Sequence, residues 1–295
     1  MRRAIIGVLL LVLLLNAAPP VRADGGVAVR SSEAQINFPR SVTFRLDAES
    51  ETAISDVQLQ VRTPGQRYGS AVRNVRPSFS PGQRINATWS WPRFGSQLPP
   101  GAEITYRWRI TDGDGRVTET PLASVYVQDT RHEWRELSGG GVTVRWYKGD
   151  DRFGREVLDA AREGVARVQR QQGVDLRHPV TVHIYGSQQE LFEAVPGAPG
   201  WIGGISIPDF DTVLVGFDSR ALEWGERALV HELTHQMVYQ MTAHPTLGSR
   251  VPTWLNEGLA VVSEGATEPK SRELLDEAIR ADTVPTLRNL SLIHI

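Results

Sequence analysis

From residue 24 to about residue 129, apolar and polar residues alternate. Ile104, Tyr106, Trp108 and Ile110 fall on one side of such a run, and Thr105, Arg107 and Arg109 on the other. A period of two is the mark of a strand with one buried face. Val57, Leu59 and Val61 repeat it, as do Ile85, Ala87, Trp89 and Trp91, and again Val125 and Val127. Turn-forming residues punctuate the runs: Pro64 with Gly65, Pro81 with Gly82, Pro99 and Pro100 with Gly101, and Asp112 to Gly115. About seven short strands in roughly 105 residues predict a β-sandwich. At alternating strand positions, Trp89, Trp91 and Trp108 are expected in its core rather than on a carbohydrate-binding face.

The rhythm changes near residues 129–131, and the glycine run at 139–141 is taken to mark a junction. Beyond it, residues 142–147 predict a strand. A helix follows, capped by Asp150 or Asp151 and ended by Gly173, with Phe153, Val157, Leu158, Ala161, Val165 and Val168 as its apolar stripe. Residues 179–185 predict another strand and 188–194 a short helix. Residues 200–205 and 212–216 predict paired strands with a turn at 208–211. Two further helices are expected around residues 228–239 and from about Pro252, with Thr253 as N-cap of the second, and a third over 271–280.

The helix at 228–239 carries candidate chemistry. His231 and His235, four residues apart, stand one above the other on one helix face and can grip a single metal ion. Glu232 lies beside them, within reach of a water at an open position on that ion. Ala228, Leu229, Val230, Leu233, Met237 and Val238 make the rest of the helix apolar enough to be buried. A zinc site of this kind needs a third protein ligand and one open position. Glu257, one turn into the next helix, supplies a carboxylate.

In the run 254–260, Trp254, Leu255, Asn256, Glu257, Gly258, Leu259 and Ala260 together with His231, Glu232 and His235 resemble the gluzincin metallopeptidases, the thermolysin-like and aminopeptidase-like zincins of the peptidase MA kind. The resemblance covers the last third of the chain by motif, and residues 131–227 by order of elements. It implies a Zn²⁺ held by His231, His235 and Glu257, Glu232 as general base, Asn256 as a supporting side chain, and peptide or protein as substrate. It also implies that the strand before the His231 helix is the edge along which substrate lies.

Two departures stand out. Twenty-one residues, 236–256, separate His235 from Glu257, so the loop around His244 and Pro245 is expected to be longer than usual. Such enzymes also carry a Tyr or His beyond the third ligand to stabilise the oxyanion. Here the last tyrosine is Tyr239, and the only later histidine besides His244 is His294. The tail at 291–295 leads to the expectation that the natural protein continues into a C-terminal helical subdomain carrying that residue. The aminopeptidase anchor Gly-x-Met-Glu-Asn is not supplied by residues 203–207, which favours an endopeptidase.

Composition narrows the setting. A chain of 295 residues with 40% hydrophobic content can bury one or two cores. A net charge of −2 gives no reason to expect nucleic acid or an anionic membrane as partner. Arg2 and Arg3, the apolar run at 4–15 and Ala23 predict a cleaved secretory signal over 1–23 and a secreted or cell-envelope location. The alternative is an uncleaved anchor; no other run is long enough to span a bilayer. The lack of cysteine excludes disulfides, thiolate metal sites and a cysteine nucleophile.

The remaining histidines are assigned elsewhere. His183 is expected as a structural residue within a strand, and His132 and His178 as solvated; His244 sits on the loop between the two motif helices. Asp112 and Asp114 open like a calcium loop, but Ala123 occupies the twelfth position, so a hairpin turn is expected. The expected architecture is multidomain. An immunoglobulin- or fibronectin-III-like sandwich over 24–130 precedes an α+β zincin-like domain over 131–295, incomplete at its end. The competing function is an exported binding module with an inactive or structural zinc domain.

Overall fold

A computed structural model describes residues 26–63, 72–92, 98–197, 202–243, 251–265, 269–286 and 289. The expected signal, His244, Pro245 and His294 lie outside these. Among the described residues the front half holds eight strands: β1 (Val27–Asn37), β2 (Ser41–Ile54), β3 (Asp56–Arg62), β4 (Val72–Val75), β5 (Gly82–Pro92), β6 (Glu103–Thr111), β7 (Val117–Glu119) and β8 (Ala123–Tyr126). They form two antiparallel sheets, ordered β1-β2-β5 and β4-β3-β6-β7, with β8 also paired to β6. Alternation fixes what fills the space between them. Phe44 and Leu46 of β2 and Ile85 of β5 are buried in the same core as Leu59 of β3 and Ile104, Trp108 and Ile110 of β6. Residues 112–115 are the expected hairpin turn, closed by Asp112, whose carboxylate accepts from the main-chain N–H groups of Asp114 and Arg116.

The back half is a mixed five-stranded sheet with helices. Its elements are β9 (Arg135–Gly139), β10 (Val142–Trp146), α1 (Asp151–Gln172), β11 (Val180–Tyr185), α2 (Gln188–Ala194), β12 (Gly204–Ile207), β13 (Thr212–Gly216), α3 (Leu222–Thr242), α4 (Thr253–Ser263) and α5 (Pro269–Arg280). The sheet order is β12-β13-β11-β10-β9; β10, β11 and β13 run parallel, and β9 and β12 antiparallel to their neighbours. α1 starts at Asp150, which accepts from the N–H of Phe153, and stops at left-handed Gly173. Its stripe packs with Leu229, Leu233 and Met237 of α3 against Val144, Val182 and Val213 of the sheet. The two helices approach closely because residue 164 is glycine: a Cβ there would sit 2.6 Å from a methyl of Val230.

The sheet's other face joins the front core. Tyr185, Leu191, Ala194, Ile207 and Leu214 are buried in one cluster with the strands of the front half. The connection is fixed by Asp129, whose buried carboxylate accepts from Arg131 at 2.7 and 2.9 Å and from the Tyr185 hydroxyl at 3.2 Å.

Three local expectations are corrected. The glycines at 139–141 are no junction; Gly140 and Gly141, at φ 63° and 81°, turn the β9–β10 hairpin. His132 is half-buried rather than freely solvated and stacks on Tyr147, ring centroids 3.7 Å apart, because the junction is lined with aromatic rings. Thr253 is the first residue of α4 and caps nothing; Pro252 takes the N-cap position, its fixed φ of −56° starting the helix without a side-chain bond.

Candidate metal centre

The site is built on α3 and completed by α4. His231 and His235 project from one face of α3, and their Nε2 atoms face each other 3.0 Å apart. Glu257 reaches in from α4: its Oε2 lies 3.3 Å from Nε2 of His231 and 3.6 Å from Nε2 of His235. Ligands about 2.0–2.1 Å from a tetrahedral zinc stand on the order of 3.3 Å from one another. The three atoms therefore already hold the spacing such an ion requires, and the set of two imidazoles and one carboxylate suits its chemistry. It is the one group of this kind among the described residues. The two histidines are mostly buried, whereas the Glu257 side chain is 51% exposed, so the site opens on the α4 side.

Glu264, at the end of α4, was not singled out by the sequence. Its Oε1 lies 2.8 Å from Nδ1 of His231. Paired with that carboxylate, Nδ1 keeps its proton and leaves the Nε2 lone pair facing His235 and Glu257. Glu257 and Glu264 are seven residues apart, two helical turns on one face, and that spacing was the available signal. The end of α4 is fixed from α1. Arg167 donates to the Ser263 carbonyl at 2.9 Å, and Gln172 donates to the Leu259 carbonyl and to Oγ of Ser263 at 2.8 and 2.6 Å.

Electrostatics separate the two rings in the metal-free site. Burial pulls His231 down, but the Glu264 hydrogen bond and the charges of Glu232, Glu264 and Glu257 outweigh it, and its pKa is raised. His235 is lowered by burial and by the neighbouring His231, against Glu257 and the Asn256 side chain, which favour its charged form. Asn256 thus sits beside the ring of His235, one of the candidate ligands, as the resemblance implied.

Glu232 lies on the same cavity, of about 580 Å³, with Gly204, Ser206, Tyr239, Asn256 and Glu257 along its wall. Burial pushes its carboxyl up to about 7, offset in part by His231 and by a hydrogen bond from the Ser206 main chain. That pKa lies near neutral pH, where a proton-transfer group works best. The strand beside it is β12, the free edge of the sheet, which settles which of the two predicted runs borders the site. Gly204 lets this edge approach: a Cβ there would lie 2.7 Å from Cγ of Glu232 and 3.1 Å from its Oε1. His183, buried on β11, takes no part, and His178 is exposed.

A family model of the Peptidase MA superfamily matches residues 160–293, from within α1 past α5. No curated protein matches. Among solved structures, the M1 zinc metallopeptidase from Deinococcus radiodurans is similar over 90% of this chain and 77% of its own, at 16% identity and a TM-score of 0.35. Legionella pneumophila aminopeptidase A is similar over 82% of this chain and 38% of its own, at 12% identity and a TM-score of 0.32. A β-1,3-glucan binding domain of carbohydrate-binding module family 56 is similar over 32% of this chain and 95% of its own, at 19% identity and a TM-score of 0.21.

Proposed function

We propose that this chain is a secreted, zinc-dependent peptidase that cleaves within peptides. His231, His235 and Glu257 would hold the ion, and the observation that carries the reading is their convergence at 3.0–3.6 Å from two separate helices. The family match over residues 160–293 supports it. Bound zinc would supply Lewis acidity and a lowered pKa for water.

The chain's own residues do the rest. Glu232 takes a proton from the attacking water and returns it to the leaving amine, which its burial and its pKa of about 7 suit. Glu264 and Asn256 hold the imidazoles. Substrate lies along β12, whose outward main-chain groups offer strand-type hydrogen bonds. Cleavage within a chain is favoured over removal of terminal residues because the two carboxylates on the cavity wall are already committed: Glu257 to the imidazoles and Glu232 to proton transfer. None is left there, among the described residues, to anchor a free amine. Residues 24–130 form, in this reading, a sandwich domain of immunoglobulin or fibronectin III type that holds substrate or the cell envelope.

The test is metal content and hydrolysis of casein or a quenched peptide, with and without chelator. One zinc per chain and chelator-sensitive cleavage are expected. Glu232→Gln keeps the zinc and lowers kcat by about 10²–10⁴-fold; His235→Ala loses both. Unchanged hydrolysis in Glu232→Gln sinks the mechanism. A chain that binds zinc but cleaves nothing is instead an exported binding module.

A further inference from the structure

Glu232, Gln236 and Gln240 stand four residues apart, a polar stripe down one face of α3. Gln240 ties down the segment before β11, accepting from the main-chain N–H groups of Arg177 and His178 at 2.9 and 3.0 Å. Gln236, between the other two, is wholly buried. A buried amide is costly unless its hydrogen bonds are met, and these are. Its Nε2 donates to Oδ1 of Asp211 at 2.9 Å and to the Pro208 carbonyl at 3.4 Å. A carboxylate and a carbonyl both ask for a donor, which turns Oε1 toward the Ser206 hydroxyl, 3.1 Å away. Gln236 therefore grips residues 206, 208 and 211, from within β12 to the start of β13.

Ser206 is held twice. Ile205 and Ile207 pack into the front core, so Gly204 and Ser206 face α3. The Ser206 hydroxyl goes to Gln236, and its main-chain N–H goes to Glu232, one helical turn earlier. That N–H is no part of the sheet. The Gly203 carbonyl accepts from Gly216 of β13, so residues 203, 205 and 207 carry the ladder, and 204 and 206 turn their main-chain groups outward. β12 has four residues and pairs on one side only. Short edges of this kind open most readily, and something besides the ladder must hold this N–H on Glu232.

We propose that Gln236 is a positioning residue for the proton-transfer step: through the Ser206 hydroxyl it holds β12 so that the Ser206 N–H fixes the Glu232 carboxylate beside the metal centre. The inference rests on the peptidase reading for its kinetic consequence, and on the hydrogen bonds alone for its geometry.

The test has two parts, both on the full chain. Amide exchange read by NMR comes first. The Ser206 amide of the wild type is expected to be protected although it lies outside the ladder. Ser206→Ala breaks only the link to Gln236, and Gln236→Met removes all three bonds at similar length. Each is expected to speed exchange at residue 206 by about 3- to 10-fold, with Ile205 and Ile207 unchanged as internal references. Should Gln236→Met not fold, Ser206→Ala decides. Hydrolysis of one quenched peptide comes second, with zinc bound. Ser206→Ala is expected to lower kcat by about 3- to 10-fold at unchanged KM and one zinc per chain, and Ser206→Thr, which restores the hydroxyl, to regain most of it. In a Glu232→Gln background, with no base left to position, Ser206→Ala should cost nothing further, which a general loosening of the fold would not produce. An unprotected Ser206 amide, an unmoved kcat, no rescue by threonine, or an equal loss in the Glu232→Gln background overturns the inference and leaves the zinc peptidase standing. A protected amide without any chelator-sensitive hydrolysis by the wild type overturns the peptidase reading and, with it, the role in proton transfer.

Discussion

At the scale of single residues, what separates this centre from a chance cluster is Glu264. Three ligand atoms at the right spacing still need the proton of His231 to be on the far nitrogen, and the 2.8 Å contact from Glu264 to Nδ1 puts it there. Carboxylates behind metal-bound imidazoles are worth about 10- to 100-fold in metal affinity. Glu264→Ala is therefore expected to weaken zinc binding by that factor, measured by competition with a fluorescent chelator, while Glu264→Gln, able to accept from Nδ1, retains most of it. Equal affinity in wild type and Glu264→Ala would show that His231 is oriented by packing alone. The histidine pair was legible because a spacing of four encodes a helix face, whereas Glu257, on another helix, was suggested by the resemblance of residues 254–260 to a family motif and not by spacing. Glu264 was not, because a lone acid near a glycine is also the ordinary composition of a helix end.

At the scale of elements, the centre depends on two close approaches. One is the end of α4 held to α1 through Arg167 and Gln172. The other is β12 passing against Glu232, which only a residue without a side chain permits. Gly204→Ala is expected to bind zinc as the wild type does, since no ligand moves, but to lose most of its hydrolysis because the added methyl claims the space of the Glu232 side chain. Zinc stoichiometry beside kcat on one preparation checks this; full activity would mean that the edge strand yields. The sequence carried most of these elements well. α1 follows its predicted stripe and both caps, and α2 falls on the predicted residues, since their apolar positions are periodic and their ends are marked by Asp150, Gly173 and Ser187. β1 escaped because it is an edge strand whose one fully buried residue is Val27, leaving no alternation to read. The glycine run misled because positive φ serves a hairpin as readily as a linker. Thr253 misled because a proline before it had already taken the cap position.

At the scale of the whole molecule, the front sheets and the back sheet share one apolar cluster, and the polar groups sealed into that contact govern how the chain responds to acid. His183 on β11 is 3% exposed, packs edge-on against Trp134, and its Nδ1 has no hydrogen-bond partner. Burial, and then the charge of Arg145 on the adjoining strand, push its pKa down to about 3, with Asp129 pulling weakly the other way. An unfolded histidine titrates near 6.5. Because the folded value is the lower one, the unfolded chain binds the extra proton first. The contribution of a neutral His183 is therefore complete above about pH 6.5 and is lost as pH falls toward 3, at up to about 1.4 kcal/mol per pH unit. Asp129, also held below its ordinary range despite its burial, through its bonds to Arg131, adds its own loss only at more acid pH. The two windows are thus separable. Compared by urea unfolding without metal, the wild type should lose stability relative to His183→Leu between pH 7 and pH 5, while the two are nearly equal at pH 7, because the ring that leucine replaces satisfies no hydrogen bond through Nδ1. The raised carboxyl of Glu232, which pulls the other way in this range, is common to both chains. Chelator keeps both chains free of metal, and the comparison cancels His231, which is raised, and His235, which is lowered. If the two chains change with pH in parallel, His183 contributes nothing to the acid response and the contact between the halves is indifferent to pH.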